Sequence, residues 1–163
     1  MSTNYSQHSQ PFRAHLKVKS LDIADQFEPT SLPILNKVLV AEDDRISQSF
    51  MQTFFRHYGK AVQGASTGRE TLKIWQAWQP DLIMMDMRMP ELTGLDATRM
   101  IRKTAPTHSF PVIVAITASS FAEDWEKLLD AGCNECLAKP LVVAHLHLII
   151  SRYFNLANTM ISL

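Results

Sequence analysis

Only two of the 163 residues are cysteine, Cys133 and Cys136, so no disulfide framework holds this fold. Net charge is missing as well, since 16 basic side chains balance 16 acidic ones. Proteins whose main partner is nucleic acid or an anionic membrane usually carry a basic excess, and this chain has none. No long apolar run occurs. The longest stretch without charge, Thr104 to Ala122, contains Pro106, His108 and Pro111 and is too broken and polar to span a bilayer. Met1 to His15 has no apolar core of the kind a secretory signal needs, and a reducing cytoplasm is the expected setting. Glycine is sparse, and no glycine-rich phosphate loop follows the first apolar run, which disfavours nucleotide and flavin enzymes. There is no internal repeat and no low-complexity tract.

What is present suits one globular core: 46% of residues are hydrophobic and 20% charged. Residues 1–36 stand apart. They are rich in Ser, Thr, Gln and Asn, hold three prolines, and read as a flexible arm or linker with one short helix near Leu21–Phe27; a fusion remnant fits equally. From Lys37 the pattern changes. Val38-Leu39-Val40-Ala41, Leu82-Ile83-Met84-Met85 and Val112-Ile113-Val114-Ala115-Ile116 are continuous apolar runs, as expected of strands buried on both faces. Lys60–Ala65 and Glu135–Ala138 are weaker strand candidates, the first suited to an edge.

Helical patterns fill the gaps. Ile46, Phe50 and Phe54 recur at i, i+4, i+8, with Met51, Phe55 and Tyr58 widening the stripe, and Gly59 is a plausible stop. Thr67-Gly68-Arg69-Glu70 and Ser120-Phe121-Ala122-Glu123 read as capping boxes. Leu72 and Trp75 follow the first; Trp125, Leu128 and Leu129 follow the second, which Gly132 closes. Thr93-Gly94-Leu95-Asp96 opens a helix carrying Leu95, Thr98 and Ile101, and Leu146, Ile149, Ile150 and Tyr153 give the last helix a buried face. Five strand–helix units imply an α/β fold: a doubly wound parallel sheet of flavodoxin-like order 2-1-3-4-5. The expected bounds are 37–154 for the domain and 155–163 for a tail too short to hold a DNA-binding domain.

Polar residues follow the apolar runs. Glu42, Asp43 and Asp44 follow the first, Asp86 the third, Thr117 the fourth and Lys139 the fifth. A parallel sheet gathers all these ends on one edge, where such sheets bind ligands. Crowded carboxylates require protons or a cation. Oxygen ligands with room for water and phosphate suit Mg²⁺. Asp86 can then serve as metal ligand and as nucleophile toward a phosphoryl group, with Lys139 and Thr117 bonding the phosphoryl oxygens. Taken singly, each has an ordinary reading: helix cap for Asp43 and Asp44, turn residue for Thr117, exposed loop lysine for Lys139. Their ordered arrival, each after its own strand, is the specific signal.

These residues resemble the receiver domain of two-component response regulators, most closely the receivers of hybrid histidine kinases. The matching stretches are Lys37 to Asp44, Asp81 to Pro90, Gly94 to Arg99, Ile116 to Ser119, Ala131 to Glu135 and Ala138 to Leu141. The resemblance implies that Asp86 accepts a phosphoryl group from a phosphohistidine on a histidine kinase or histidine-phosphotransfer protein. It implies Asp43 as a direct Mg²⁺ ligand, Glu42 as the acid binding through water, and the Arg88 carbonyl as a further ligand. Thr117 and Lys139 match the switch hydroxyl and phosphate-pairing lysine, and the Lys139–Pro140 bond is often cis in this family. Such a protein is a signalling phosphoacceptor, not an enzyme in the ordinary sense, with no direct nucleic-acid binding and no membrane insertion. Two departures stand out. Asp44 replaces the usual asparagine and reads as a helix cap, and Cys136 replaces the aromatic residue usually coupled to the threonine.

Rival readings fare worse. An aspartyl phosphohydrolase wants a second acid two residues after the nucleophile, and Asp86-Met87-Arg88 lacks one. Cys133 and Cys136 lie at the fifth strand, away from a thioredoxin-like position, and read as core or loop residues. His145 and His147, spaced i, i+2, face apart on a helix. Met84, Met85, Met87 and Met89 read as core and site walls. The alternative kept open is a degenerate receiver that binds proteins without being phosphorylated.

Overall fold

The computed structural model describes residues 35–104 and 110–153. Its elements, in chain order, are β1 (Lys37–Ala41), α1 (Arg45–His57), β2 (Ala61–Ala65), α2 (Gly68–Trp78), β3 (Leu82–Asp86), α3 (Gly94–Thr104), β4 (Val112–Thr117), α4 (Ala122–Asp130), β5 (Glu135–Ala138) and α5 (Val143–Tyr153). All strand pairings are parallel, in the order β2-β1-β3-β4-β5. The expected order is therefore the observed one. The expected helix near Leu21–Phe27 and the tail lie outside the described residues.

Side-chain alternation along the strands divides the core in two. Val38, Val40, Met84, Val114 and Ile116 face Met51 and Phe55 of α1 and Leu146, Ile149 and Ile150 of α5. Leu39, Ala41, Ile83, Met85 and Ala115 face Trp75 of α2, Ile101 of α3 and Trp125 and Leu128 of α4. Covering both faces explains why β1, β3 and β4 are apolar without interruption. β2 lies at one edge, and its burial alternates accordingly.

Two local expectations need correction. The α1 stripe is not centred on Ile46 and Phe50, which are 81% and 39% exposed; Met51 and Phe55 are the buried pair. The apolar arc is wider than the sheet can cover, so its outer edge stays in solvent beside Arg45, Ser49 and His57. The second correction is at α4. Phe121, not Ser120, occupies its N-cap and makes no side-chain cap bond. Ser119, one residue earlier, accepts the Phe121 amide instead. Glu135 opens β5, as expected, with only 1% of its surface exposed, and it pairs with Arg152 of α5.

Other caps match expectation. Asp44 accepts the Ser47 amide at 2.8 Å, and Thr67 accepts that of Glu70 at 3.1 Å. Gly59 and Gly132 follow α1 and α4 with φ of 69° and 106°, a left-handed region that glycine enters freely. Cys133 and Cys136 are core residues, and burial pushes their thiols up to about 11 and 12, which makes them poor nucleophiles. His147 shares a 2.8 Å hydrogen bond with the Tyr58 hydroxyl.

Candidate functional site

The site lies at the C-terminal edge of the sheet. β1 delivers Glu42 and Asp43, β3 ends in Asp86, β4 ends in Thr117, and Lys139 follows β5. The β1–α1 turn is held by backbone bonds. Glu42 N donates to Ala65 O, and the Gln48 side-chain amide donates to the carbonyls of both Glu42 and Ala65 at 2.8 and 2.9 Å. Gln48 has no charge and repeats in no motif, so sequence reasoning missed it. Gly94 is needed where α3 begins. A Cβ there would collide with the Asp86 carbonyl oxygen, so only glycine lets α3 approach the end of β3.

Glu42, Asp43 and Asp86 each offer a carboxylate oxygen, all within 4.8 Å of one another. Glu42 and Asp86 are buried while Asp43 is exposed, so the cluster opens to solvent on one side. Lys139 Nζ lies 2.7 Å from Asp86 Oδ2 and 3.0 Å from Glu42 Oε1. The Arg88 amide donates to Asp86 Oδ1 at 2.9 Å. The Lys139–Pro140 peptide is cis.

The electrostatics follow from burial. Burial pushes the Glu42 carboxyl from 4.5 up to about 7. The Lys139 bond opposes this, and the nearby Asp86 carboxylate reinforces it. For Lys139, burial disfavours the charge, but bonds to Asp86 and Glu42 outweigh it and the net shift is upward. One ammonium thus offsets two buried carboxylates, and Asp43 is left over. Glu42 Oε2 is buried without a hydrogen bond, although the ammonium is 3.0 Å away. Three converging carboxylates, one carrying an orphaned oxygen, fit a hard divalent cation.

Thr117 is buried, and its carbonyl accepts the Lys139 amide at 2.8 Å. Its hydroxyl accepts the Ser119 amide at 3.1 Å. Asp44 lies outside the carboxylate cluster. Its bonds to Ser47 cap α1 and hold its carboxyl below the usual range. Sequence reasoning also missed the bonding around Ser119. Its hydroxyl donates to Asp124 at 2.6 Å, and its carbonyl accepts the Trp125 indole N–H at 2.8 Å. A lone serine in a loop carries no signal for this.

The chain is 31% identical over 136 residues to the aerobic respiration control sensor protein ArcB of Escherichia coli (strain K12). That match takes in 82% of this chain and spans 17% of ArcB. Among solved structures it resembles a chain of the co-crystal of the Saccharomyces cerevisiae histidine phosphotransfer signaling protein Ypd1 with the receiver domain of its downstream response regulator Ssk1. The TM-score is 0.68 at 30% identity, covering 76% of this chain and 91% of that one. It also resembles the receiver domain of sensor histidine kinase PA1611 from Pseudomonas aeruginosa PAO1, with a magnesium ion coordinated in its active-site cleft. There the TM-score is 0.64 at 33% identity, covering 72% of this chain and 96% of that one. Among the described residues, no helix is long and apolar enough to cross a membrane. The response regulator receiver domain family matches residues 38–151, and the five-stranded fold agrees with it, so this chain belongs to that family, the receivers of two-component systems.

Proposed function

We propose that this receiver is a working phosphoacceptor, with residues 37–154 as the functional unit, residues 1–36 and 155–163 as its flanks, and the cytoplasm as its setting. Asp86 takes a phosphoryl group from a phosphohistidine on a histidine kinase or histidine-phosphotransfer protein. A carboxylate oxygen of Asp86 forms the new P–O bond as the P–N bond breaks, and the imidazole leaves with that electron pair. The observation that carries this reading is the buried Asp86 carboxylate, flanked by Lys139 at 2.7 Å and clustered with Glu42 and Asp43.

Glu42, Asp43, Asp86 and the Arg88 carbonyl would hold Mg²⁺, which when bound neutralises charge on the moving oxygens. Lys139 pairs with a phosphoryl oxygen, and Thr117 donates its hydroxyl to another. The exposed apolar side of α1, with Ile46 and Phe50, starts directly after the acidic turn and offers the donor protein a surface to rest on. Phosphorylation then changes protein contacts. The chain acts on itself alone, so it is a signalling component and not an enzyme with turnover.

The test is mass measurement after incubation with acetyl phosphate and Mg²⁺. The expected result is a gain of one phosphoryl group, absent in Asp86→Asn. No gain in the parent protein would leave the binding-module reading in its place.

Mg²⁺ affinity is also expected to depend on pH. The folded, metal-free protein holds the Glu42 proton up to about pH 7, against 4.5 for the free group. Its contribution to stability is therefore full below 4.5 and declines as pH rises through about 7. Mg²⁺ competes with that proton, so its affinity should rise with pH up to about 7 and level off above it. Calorimetric titrations on both sides of that value would show this; a flat profile would count against Glu42 as part of the metal site.

A further inference from the structure

Along one flank of α1, Gln48, Gln52 and Arg56 stand at i, i+4 and i+8 and are hydrogen-bonded head to tail. The Arg56 guanidinium donates to Gln52 Oε1 at 2.9 Å. Gln52 Nε2 donates to Gln48 Oε1 at 3.4 Å, the longest link. Gln48 Nε2 donates to the carbonyls of Glu42 at 2.8 Å and Ala65 at 2.9 Å. A guanidinium can only donate, so it fixes which way both carboxamides face. Gln52 turns its oxygen to Arg56 and therefore its nitrogen to Gln48. Gln48 then turns its own nitrogen to the two carbonyls. Aligned in this way, each bond polarises the next. The ladder lies beside β2 at Gly64. A Cβ there would collide with Gln52 Nε2 and press on Gln48 Cδ, so a larger residue would push the ladder apart.

We propose that the Arg56–Gln52–Gln48 ladder positions the acidic turn for a divalent cation, holding the Glu42–Asp43 peptide so that both carboxylates converge with Asp86. This deepens the phosphoacceptor reading and rests on its metal site. β2 is an edge strand with β1 as its one neighbour, and their pairing ends at Ala41 and Ala65. The peptide that follows carries the first two acids of the site. Its carbonyl has the Gln48 amide as donor, and without that donor it would turn toward water and swing Asp43 with it. Three carboxylates repel one another before a cation arrives, so the turn must be held against that repulsion. A site already in place loses less free energy to ordering when its ligand binds. Gln48 is thus a positioning residue, and Arg56, about 12 Å further along the helix, acts through two neutral amides. The sign of its effect separates this from simple attraction between charges. Removing an exposed positive charge would by its field alone tighten a cation slightly, whereas loosening the ladder weakens it.

The test is calorimetric titration of the full chain with Mg²⁺, with the backbone amide signals of Glu42 and Asp43 followed by NMR. Gln48→Met keeps the length of the side chain and removes its donors. It should bind Mg²⁺ about tenfold more weakly, on the scale of one to two net hydrogen bonds. Gly64→Ala pushes Gln52 aside, and Arg56→Met removes the donor that orients both amides. Each should weaken Mg²⁺ about threefold. These two touch no residue of the carboxylate cluster and carry the comparison if Gln48→Met does not fold. In all three the Glu42 and Asp43 amide signals should shift before any Mg²⁺ is added. Arg152→Ala, which breaks the ion pair with Glu135 at the far end of β5, is the control. It should lower stability and leave Mg²⁺ affinity at the parental value. Parental affinity in the folded ladder variants, tighter binding by Arg56→Met, or an equal loss in Arg152→Ala overturns the ladder's role and leaves the phosphoacceptor reading intact. A parent that binds no Mg²⁺ overturns the ladder's role and the metal site together.

Discussion

Replacing Lys139 with methionine is expected to destabilise the protein by about 2–3 kcal/mol in the presence of a chelator. The ammonium contacts two carboxylates, of which Glu42 is 1% and Asp86 4% exposed. Without it, both face each other and Asp43 with no positive charge between them. Breaking a fully buried pair costs more, but Lys139 is itself 32% exposed, so water softens the loss. Excess Mg²⁺ should restore most of the stability, because a divalent ion offsets the same carboxylates and binds only the folded form. Denaturant titrations with and without Mg²⁺, above the raised Glu42 value, would measure both effects. A chelated Lys139→Met protein as stable as the parent would refute the account of the site's electrostatics. The same variant should accept phosphoryl groups from acetyl phosphate at least tenfold more slowly, on the scale of one charge-assisted contact.

The second large effect is expected far from this chemistry. Arg152→Ala should cost about 2 kcal/mol, because it strands the Glu135 carboxylate inside the protein, while water softens the loss of a guanidinium that is itself 39% exposed. Glu135 begins β5 and Lys139 follows it, so the ion pair and the phosphoacceptor lie at opposite ends of that strand. Phosphorylation in mild buffer should therefore be retained. Glu135→Gln removes the charge that needs a partner and should cost less; adding it to Arg152→Ala should recover part of the loss. Unfolding curves for the four proteins of this cycle decide the matter. An Arg152→Ala protein as stable as the parent would show that water already reaches the Glu135 carboxylate.

Much of the architecture is legible in the chain because the relevant forces are local. Four or five apolar residues in a row cannot stay in water, and β1, β3 and β4 lie where those runs lie. Asp44 and Thr67 cap their helices because a short polar side chain there reaches an amide three residues on. The α1 stripe misleads because periodicity marks an apolar arc without saying which part the sheet will cover. Ile46 and Phe50 belong to the arc and still face solvent. The cap of α4 misleads because Ser120 has suitable spacing, whereas Ser119 has the partners.

By itself the sequence determined the order of elements and the polar residue placed after each strand. Both depend only on short stretches of chain, and together with the matching motifs they were enough to indicate a receiver. Tertiary structure decided the rest. Parallel pairing of β1, β3, β4 and β5 brings together side chains from distant parts of the chain. Only then does Lys139 meet two carboxylates at once, Glu42 hold its proton toward neutrality, and Ser119 tie Thr117 to Trp125. Burial, hydrogen-bond geometry and proton affinity depend on neighbours across the sheet, and no local stretch of sequence contains them.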